Sequence, residues 1–329
     1  MMATLRIAAP TTGARIMGVG SYQPATVVTN HDLAQVIDTD DAWIQSRVGI
    51  VSRRVAGPDE LLVDMATAAA EAAIKDAGLT PADVDTVIVA TCTMPTSVPN
   101  ASARVATALG INGVGAFDIN AACAGFTYAL AVGADLVRAG SAHTVVVVGA
   151  EKFTDWVDPL DRSTSIIFAD GAGAAVIGAS TDQHGPGIGP VVWGSSGDMS
   201  EVIAIADRTS FLQQEGQTVF RWATTKIAPI VLQAIEQAGL QPADVDVLVP
   251  HQANLRILES IAKALRRSGA REDMVLARDI VHSGNTSAAS IPMALDHLRA
   301  DAAVRSGDVA LLVGFGAGLC FAAQAVLLP

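Results

Sequence analysis

Residues 77–85 read Ala77-Gly78-Leu79-Thr80-Pro81-Ala82-Asp83-Val84-Asp85, and residues 238–246 read Ala238-Gly239-Leu240-Gln241-Pro242-Ala243-Asp244-Val245-Asp246. The copies lie 161 residues apart (77 to 238), close to half of the 329-residue chain. Each follows an alanine-rich stretch with helical spacing, 61–77 and 223–238. Each precedes a short apolar run, 86–90 and 247–249, of the kind that forms a strand buried on both faces. Glycine just past a helix, with proline soon after, is helix-stop chemistry. Matching flanks at half-length point to duplication of one α/β unit.

Further strands are predicted at 15–18, 115–119, 144–148, 173–177, 189–193, 275–276, 309–313 and 323–327. Helices are predicted between them, at 67–77, 101–109, 124–139, 255–267 and 287–299. Strands alternating with helices imply a mainly parallel sheet covered on both faces. Two such units make a five-layer α/β/α/β/α stack, divided here into halves 1–179 and 180–329. No low-complexity linker separates them, so they should pack as one body. The segment 124–139 is apolar nearly all round and belongs in the middle layer, between the sheets.

Composition narrows the function. Half of the residues are apolar and 16% are charged, which excludes disorder as the main state. Net charge is −12 and the pI about 4.8, against a nucleic-acid binder or an anionic membrane surface as partner. No run of about 18–20 apolar residues is present to span a bilayer. The first twenty residues lack a sustained apolar core, so no signal peptide is expected. Three cysteines (Cys92, Cys123, Cys320) do not make a disulfide framework, and a cytoplasmic protein is expected. C-x-x-C, H-E-x-x-H, G-x-x-x-x-G-K-[ST] and G-x-S-x-G are absent, so no metal site, P-loop or serine-hydrolase elbow is expected. Gly-rich 170–175 runs into a strand and lacks the full G-x-G-x-x-G, which argues against a dinucleotide site.

Cys123 lies between a strand and the buried helix, where a helix N-terminus would favour a thiolate nucleophile. Cys92 and Cys320 lie within or at the end of strand-like runs and read as structural. His251 follows the second repeat's strand through Pro250, in a loop opening a helix; Asn285 occupies a similar loop. Each alone has a bland reading, a buried thiol, a loop histidine or a helix cap. Thiol, imidazole and carboxamide together at strand–helix junctions point to catalysis.

A-A-C-A-G-F at 121–126, P-H-Q-A-N-x-R-I at 250–257, G-N-T-S-A-A-S-I-P at 284–292 and G-F-G-A-G-L at 314–319 together resemble 3-oxoacyl-[acyl-carrier-protein] synthase III, the initiating ketosynthase of fatty-acid synthesis. The resemblance runs from about Gly18 to Pro329. It implies the thiolase fold and a decarboxylating Claisen condensation of an acyl-CoA primer with malonyl-acyl carrier protein. Cys123 would carry the acyl group, His251 and Asn285 would stabilise the enolate, and the backbone N–H groups of Cys123 and Ala317 would form the oxyanion hole. The resemblance further implies that Trp43, Arg47 and Arg162 meet the CoA adenine. It places Gly216, Phe220 and Asn254 along the pantetheine tunnel and Val98 across a homodimer interface at the acyl pocket. Val98, where some members carry a bulky aromatic, suggests a roomier pocket. Acyl-CoA is then a substrate, and no cofactor is expected.

Arg256, Lys263 and Arg267 share one helix face. With Arg221 they are the expected docking patch for acidic acyl carrier protein. Between Gly194 and Gly216 only 21 residues intervene, fewer than in many members, which bears on primer size. A thiolase is disfavoured, because Gly314 stands where thiolases place a second cysteine. A non-catalytic binder is disfavoured by the intact trio. A polyketide or secondary-metabolite starter enzyme is the remaining alternative.

Overall fold

The computed structural model describes residues 13–180, 185 and 187–329; the first twelve, read above for a leader, lie outside the described residues. The two repeats take one conformation. Helix α1 (Leu62–Asp76) ends in a Schellman turn: Leu79 N–H donates to Ile74 O and Gly78 N–H to Lys75 O, each at 3.0 Å, with Gly78 at φ +69°. The helix before the second copy repeats this, with Leu240 N–H to Ile235 O, Gly239 N–H to Glu236 O, and Gly239 at φ +74°. Only glycine adopts that backbone freely. The next turn is 3-10 in both copies, closed by Asp83 accepting from Thr80 N–H and Asp244 from Gln241 N–H. The valine that follows, Val84 or Val245, is buried and leads into a strand.

The first sheet holds β1 (Ala14–Tyr22), β2 (Thr86–Ala90), β3 (Gly115–Ile119), β4 (Thr144–Lys152) and β5 (Asp170–Ala179), in the order β1-β5-β4-β2-β3. The second holds β6 (Ile188–Ser195), β7 (Val247–Pro250), β8 (Val275–Leu276), β9 (Val309–Phe315) and β10 (Cys320–Leu327), in the order β6-β10-β9-β7-β8. Numbered within each sheet, these are the same permutation. The pairings match as well: the first two in each series are antiparallel and the last two parallel.

Helices α2 (Gly125–Arg138) and α5 (Ser290–Ala300) lie between the sheets, as predicted for the first of them. Phe126, Leu130 and Val137 of α2 and Ile291 and Leu295 of α5 share a core with Ile88 and Val147 of the first sheet and Val249 and Leu312 of the second. Outside, α1 lays Met65, Ala66, Ala69, Ala70 and Ala73 on the first sheet. The second sheet is covered by α3 (Gly216–Gln237), and α4 (Leu255–Arg267) packs on α3. This is the expected five-layer stack.

Several expectations change in detail. Helix α3 starts at Gly216, not 223, about two turns earlier, because Val219 and Trp222 are buried and carry the apolar face back. The stretch predicted as helix 287–299 opens as a 3-10 turn, Ser287–Ala289, with Ser287 in the left-handed region at φ +50°. Strands β1, β4, β5, β6 and β10 outrun their β-branched cores through small residues that a propensity reading discounts. A hairpin, Thr26–Thr29 with Ser52–Val55, and a helix, Asp41–Val48, form without a strong periodic signal. Arg53 of the hairpin is buried, donating to Asn30 Oδ1 and Ile166 O.

Candidate active site

Cys123 sits in a 3-10 turn, Ala122–Ala124, between β3 and α2. Ala122 is held at φ +45°, a conformation non-glycine residues rarely adopt and one that marks functional turns. Gly316 packs on the thiol so closely that a Cβ there would lie 2.9 Å from Sγ. Sγ has hydrogen-bonding contacts with Ser287 Oγ and with the backbone of Cys123 and Ala317. Desolvation outweighs them, and the thiol is pushed up to about 11. Burial thus overturns the expectation of a resting thiolate at the helix end.

His251 follows β7, its N–H donating to Val313 O at 2.7 Å. Ser290 Oγ lies 2.7 Å from Nδ1, and Phe315 packs edge-on at 5.4 Å. Burial pulls the imidazole down to about 3, so the ring is neutral near pH 7. Asn285 is fixed through its backbone, N–H to Ile167 O and C=O from Ala169 N–H, both at 2.9 Å. Its Oδ1 accepts from Ser287 N–H at 2.9 Å, which assigns the amide and leaves Nδ2 as a donor.

Cys123, His251, Asn285 and Ala317 line one cavity of ≈ 990 Å³. Four segments separate in sequence therefore meet at one place. Gly216, Phe220, Asn254, Trp43 and Arg47 lie on the same wall. Trp43 has Arg162 over its ring at 4.6 Å and Arg47 at 5.6 Å; Arg162 itself stands off the cavity, donating to Asp38 O. Asn254 caps α4 and ties Arg47 O through Nδ2 at 3.1 Å. Within the short 195–215 stretch, Ile203, Ile205 and Leu212 contribute apolar wall.

Other expected residues do not gather here. Arg221 and Arg256 are exposed at the cavity, with Arg256 over the Phe220 ring at 5.0 Å. Lys263 and Arg267 line a separate surface groove shared with Glu259 and Glu272. The helix that aligns them carries them away from the mouth, so the four do not form one patch. Val98 is 83% exposed and outside the cavity of this chain.

Sequence reasoning missed the polar groups packed behind Cys123, His251 and Asn285. Ser287 contacts all three members of the trio: Cys123 Sγ through Oγ, Asn285 through N–H, and His251 through its backbone. It stood inside the G-N-T-S motif without being singled out. Glu151, fully buried at the end of β4, accepts from Ser287 Oγ, Thr91 Oγ1, Thr93 Oγ1 and Cys92. A glutamate closing a run of valines was its only signal. Cys92, read as structural, lines the cavity beside it.

Two family models match the chain. The model of 3-oxoacyl-[acyl-carrier-protein (ACP)] synthase III covers residues 117–197, and that of its C-terminal part covers 235–328. Beta-ketoacyl-[acyl-carrier-protein] synthase III 4 of Streptomyces coelicolor is 52% identical over 317 residues, 96% of this chain and 99% of the relative. The mycobacterial beta-ketoacyl-[acyl-carrier-protein] synthase III of Mycobacterium avium is 49% identical over 325 residues, 95% of each chain. Among solved structures, the priming beta-ketosynthase of the R1128 polyketide pathway superposes with TM-score 0.94 at 43% identity, covering 99% of both chains. The synthase III of Aquifex aeolicus gives TM-score 0.90 at 37% identity, covering 96% of this chain and 100% of that one.

Proposed function

The chain belongs to the 3-oxoacyl-[acyl-carrier-protein] synthase III family, and from that premise we propose how its residues divide the work of the reaction. The enzyme is an acyltransferase of the thiolase fold. It condenses an acyl-CoA primer with malonyl-acyl carrier protein in the initiating step of fatty-acid synthesis, releasing CoA and CO₂.

Cys123 attacks the primer thioester and holds the acyl group. The tetrahedral oxygen is met by the N–H groups of Cys123 and Ala317, already turned toward the sulfur. Malonyl-carrier protein then binds, and loss of CO₂ puts negative charge on its thioester oxygen. Asn285 Nδ2 and His251 donate to that oxygen. With Nδ1 at Ser290, a neutral imidazole offers Nε2 for this role. One such donor contributes about 3–4 kcal/mol. The observation that carries the reading is the convergence of Cys123, His251 and Asn285 on one cavity.

The remaining assignments rest on position. Trp43 with its two flanking arginines suits the CoA adenine at the entrance, and Arg221 and Arg256 suit an acidic carrier protein there. The enzyme works as a cytoplasmic homodimer without cofactor, the partner subunit covering exposed Val98 near the primer site. The halves are 1–179, carrying the nucleophile, and 180–329, carrying His251 and Asn285. Likeness to a priming ketosynthase favours one second reading, a starter enzyme of polyketide synthesis.

Incubation with radiolabelled acyl-CoA tests the nucleophile: label should stay on Cys123 and vanish in Cys123→Ser, and label persisting in that variant would refute the assignment. A panel of primers offered with malonyl-carrier protein separates the two readings. Preference for acetyl or short branched primers favours fatty-acid initiation; preference for a longer starter favours the polyketide role.

A further inference from the structure

Among the described residues Glu151 is the buried carboxylate that accepts from Ser287 Oγ, and the condensation chemistry above leaves it unused. Its five neighbours are donors. Thr93 Oγ1 donates at 2.5 Å, Thr91 Oγ1 at 3.1 Å, and Cys92 N–H at 3.2 Å to Oε2; Cys92 Sγ at 3.3 Å and Ser287 Oγ at 3.1 Å reach Oε1. Thr93 Oγ1 in turn accepts from Lys152 N–H, so the threonine is itself anchored. The titratable groups facing Glu151 are the thiols of Cys92 and Cys123. The Lys152 ammonium next in sequence points elsewhere, to the carbonyls of Gly57 and Glu60.

Acylation requires that Cys123 lose its proton, yet the site keeps the thiol protonated. The imidazole has its Nδ1 at Ser290 Oγ, and burial, which pulls it down to about 3, makes it a weak base. Ser287 Oγ, in contrast, donates to Glu151 Oε1 at 3.1 Å, lies 3.9 Å from Cys92 Sγ and has the Cys123 thiol as a further hydrogen-bonding neighbour. We propose that Ser287 and Glu151 form the proton relay of Cys123. As Sγ bonds to the primer carbonyl, the thiol proton passes to Ser287 Oγ while the serine's own proton passes to Glu151 Oε1. When the tetrahedral intermediate collapses, the proton returns by the same path to the departing CoA sulfur. One S–H is lost and one is formed, and no outside acid or base is consumed. Burial lifts Glu151 above the ordinary carboxylate range, which suits it to receive a proton. Glu151 acts through Ser287, so it is a positioning and relay residue; Ser287 alone touches the reacting sulfur.

The inference rests on Cys123 being the nucleophile. Its signature is in the pH profile. A thiol and a carboxyl that share one proton hold a fixed proportion of thiolate–carboxylic acid pairs between the two ionisations of the couple. Single-turnover acylation, and alkylation by iodoacetamide located on Cys123 by mass spectrometry, should therefore be nearly flat from about pH 6 to about pH 9 in the wild type. Glu151→Gln keeps the acceptor but cannot take a proton, and Ser287→Ala cuts the path. Each should lose the flat region and rise about tenfold per pH unit, with circular dichroism unchanged. Should Glu151→Gln aggregate, Ser287→Ala carries the same comparison. A flat profile retained in the variants, or a tenfold-per-unit rise already in the wild type, overturns the relay while Cys123 still labels. Absence of label on wild-type Cys123 would instead sink the nucleophile assignment, and the relay with it.

Discussion

Replacing Gly316 by alanine tests the claim that backbone packing sets the position of Cys123, the proposed nucleophile. Gly316 is extended, at φ 171°, so alanine brings no backbone strain, and the whole effect is steric. The new Cβ would lie 2.6 Å from Cys123 Cβ, 2.9 Å from Sγ and 3.3 Å from its N. Ordinary contact needs at least about 3.4 Å, so the thiol or the 314–318 turn must retreat by roughly 0.5–1 Å. Either movement separates Sγ from the Ala317 N–H. A misplacement of that size typically lowers the rate about 10²-fold, and overpacking a filled site costs about 1–3 kcal/mol. The assay is rapid-quench acylation by acyl-CoA, read as intact mass, together with thermal melting. Gly197→Ala, whose Cβ meets nothing within 4 Å, serves as control. A stable Gly316→Ala enzyme that acylates at the wild-type rate would refute the packing argument.

His251→Ala should still accept the acyl group but release CO₂ from malonyl-carrier protein about 10²–10³-fold more slowly; normal decarboxylation measured by trapped ¹⁴CO₂ would remove His251 from the enolate site. His251 ionises at about 3 when folded against an ordinary 6.5, so the unfolded chain binds more protons between those values. The stabilisation from keeping it neutral is complete above about pH 6.5 and drains away as pH falls toward 3, so thermal melts from pH 7.5 to 4.5 should fall more steeply in the wild type than in His251→Gln, and parallel curves would contradict this. Trp43→Ala removes the ring that Arg162 and Arg47 flank; KM for acyl-CoA should rise about 5–10-fold with kcat little changed, and an unchanged KM would place the adenine elsewhere.

Much of this was legible before any coordinates. Gly78, Pro81 and Asp83, and their counterparts Gly239, Pro242 and Asp244, each act within a few residues of chain, and each pair adopts the conformation its turn chemistry requires. Cys123, His251 and Asn285 stood at strand-to-helix loops, where α/β sheets expose reactive groups, but their roles came from the resemblance of the motifs around them to synthase III. Arg256, Lys263 and Arg267 show the opposite: helical spacing aligned them correctly on α4 but said nothing of where along α4 the cavity opens.

Local signals determined the repeat, the helix stops and the layer in which α2 lies, because hydrophobic period and turn preference are properties of ten or so adjacent residues; the proposed trio came from the resemblance of its motifs to a known family. Tertiary structure alone decided that Cys123 rests as a thiol, that His251 is neutral, and that Ser287 and Glu151 stand behind them. Burial and hydrogen-bond partnership depend on segments a hundred and more residues apart, such as 151 and 287, meeting in one place where water is excluded, and no local pattern encodes that meeting.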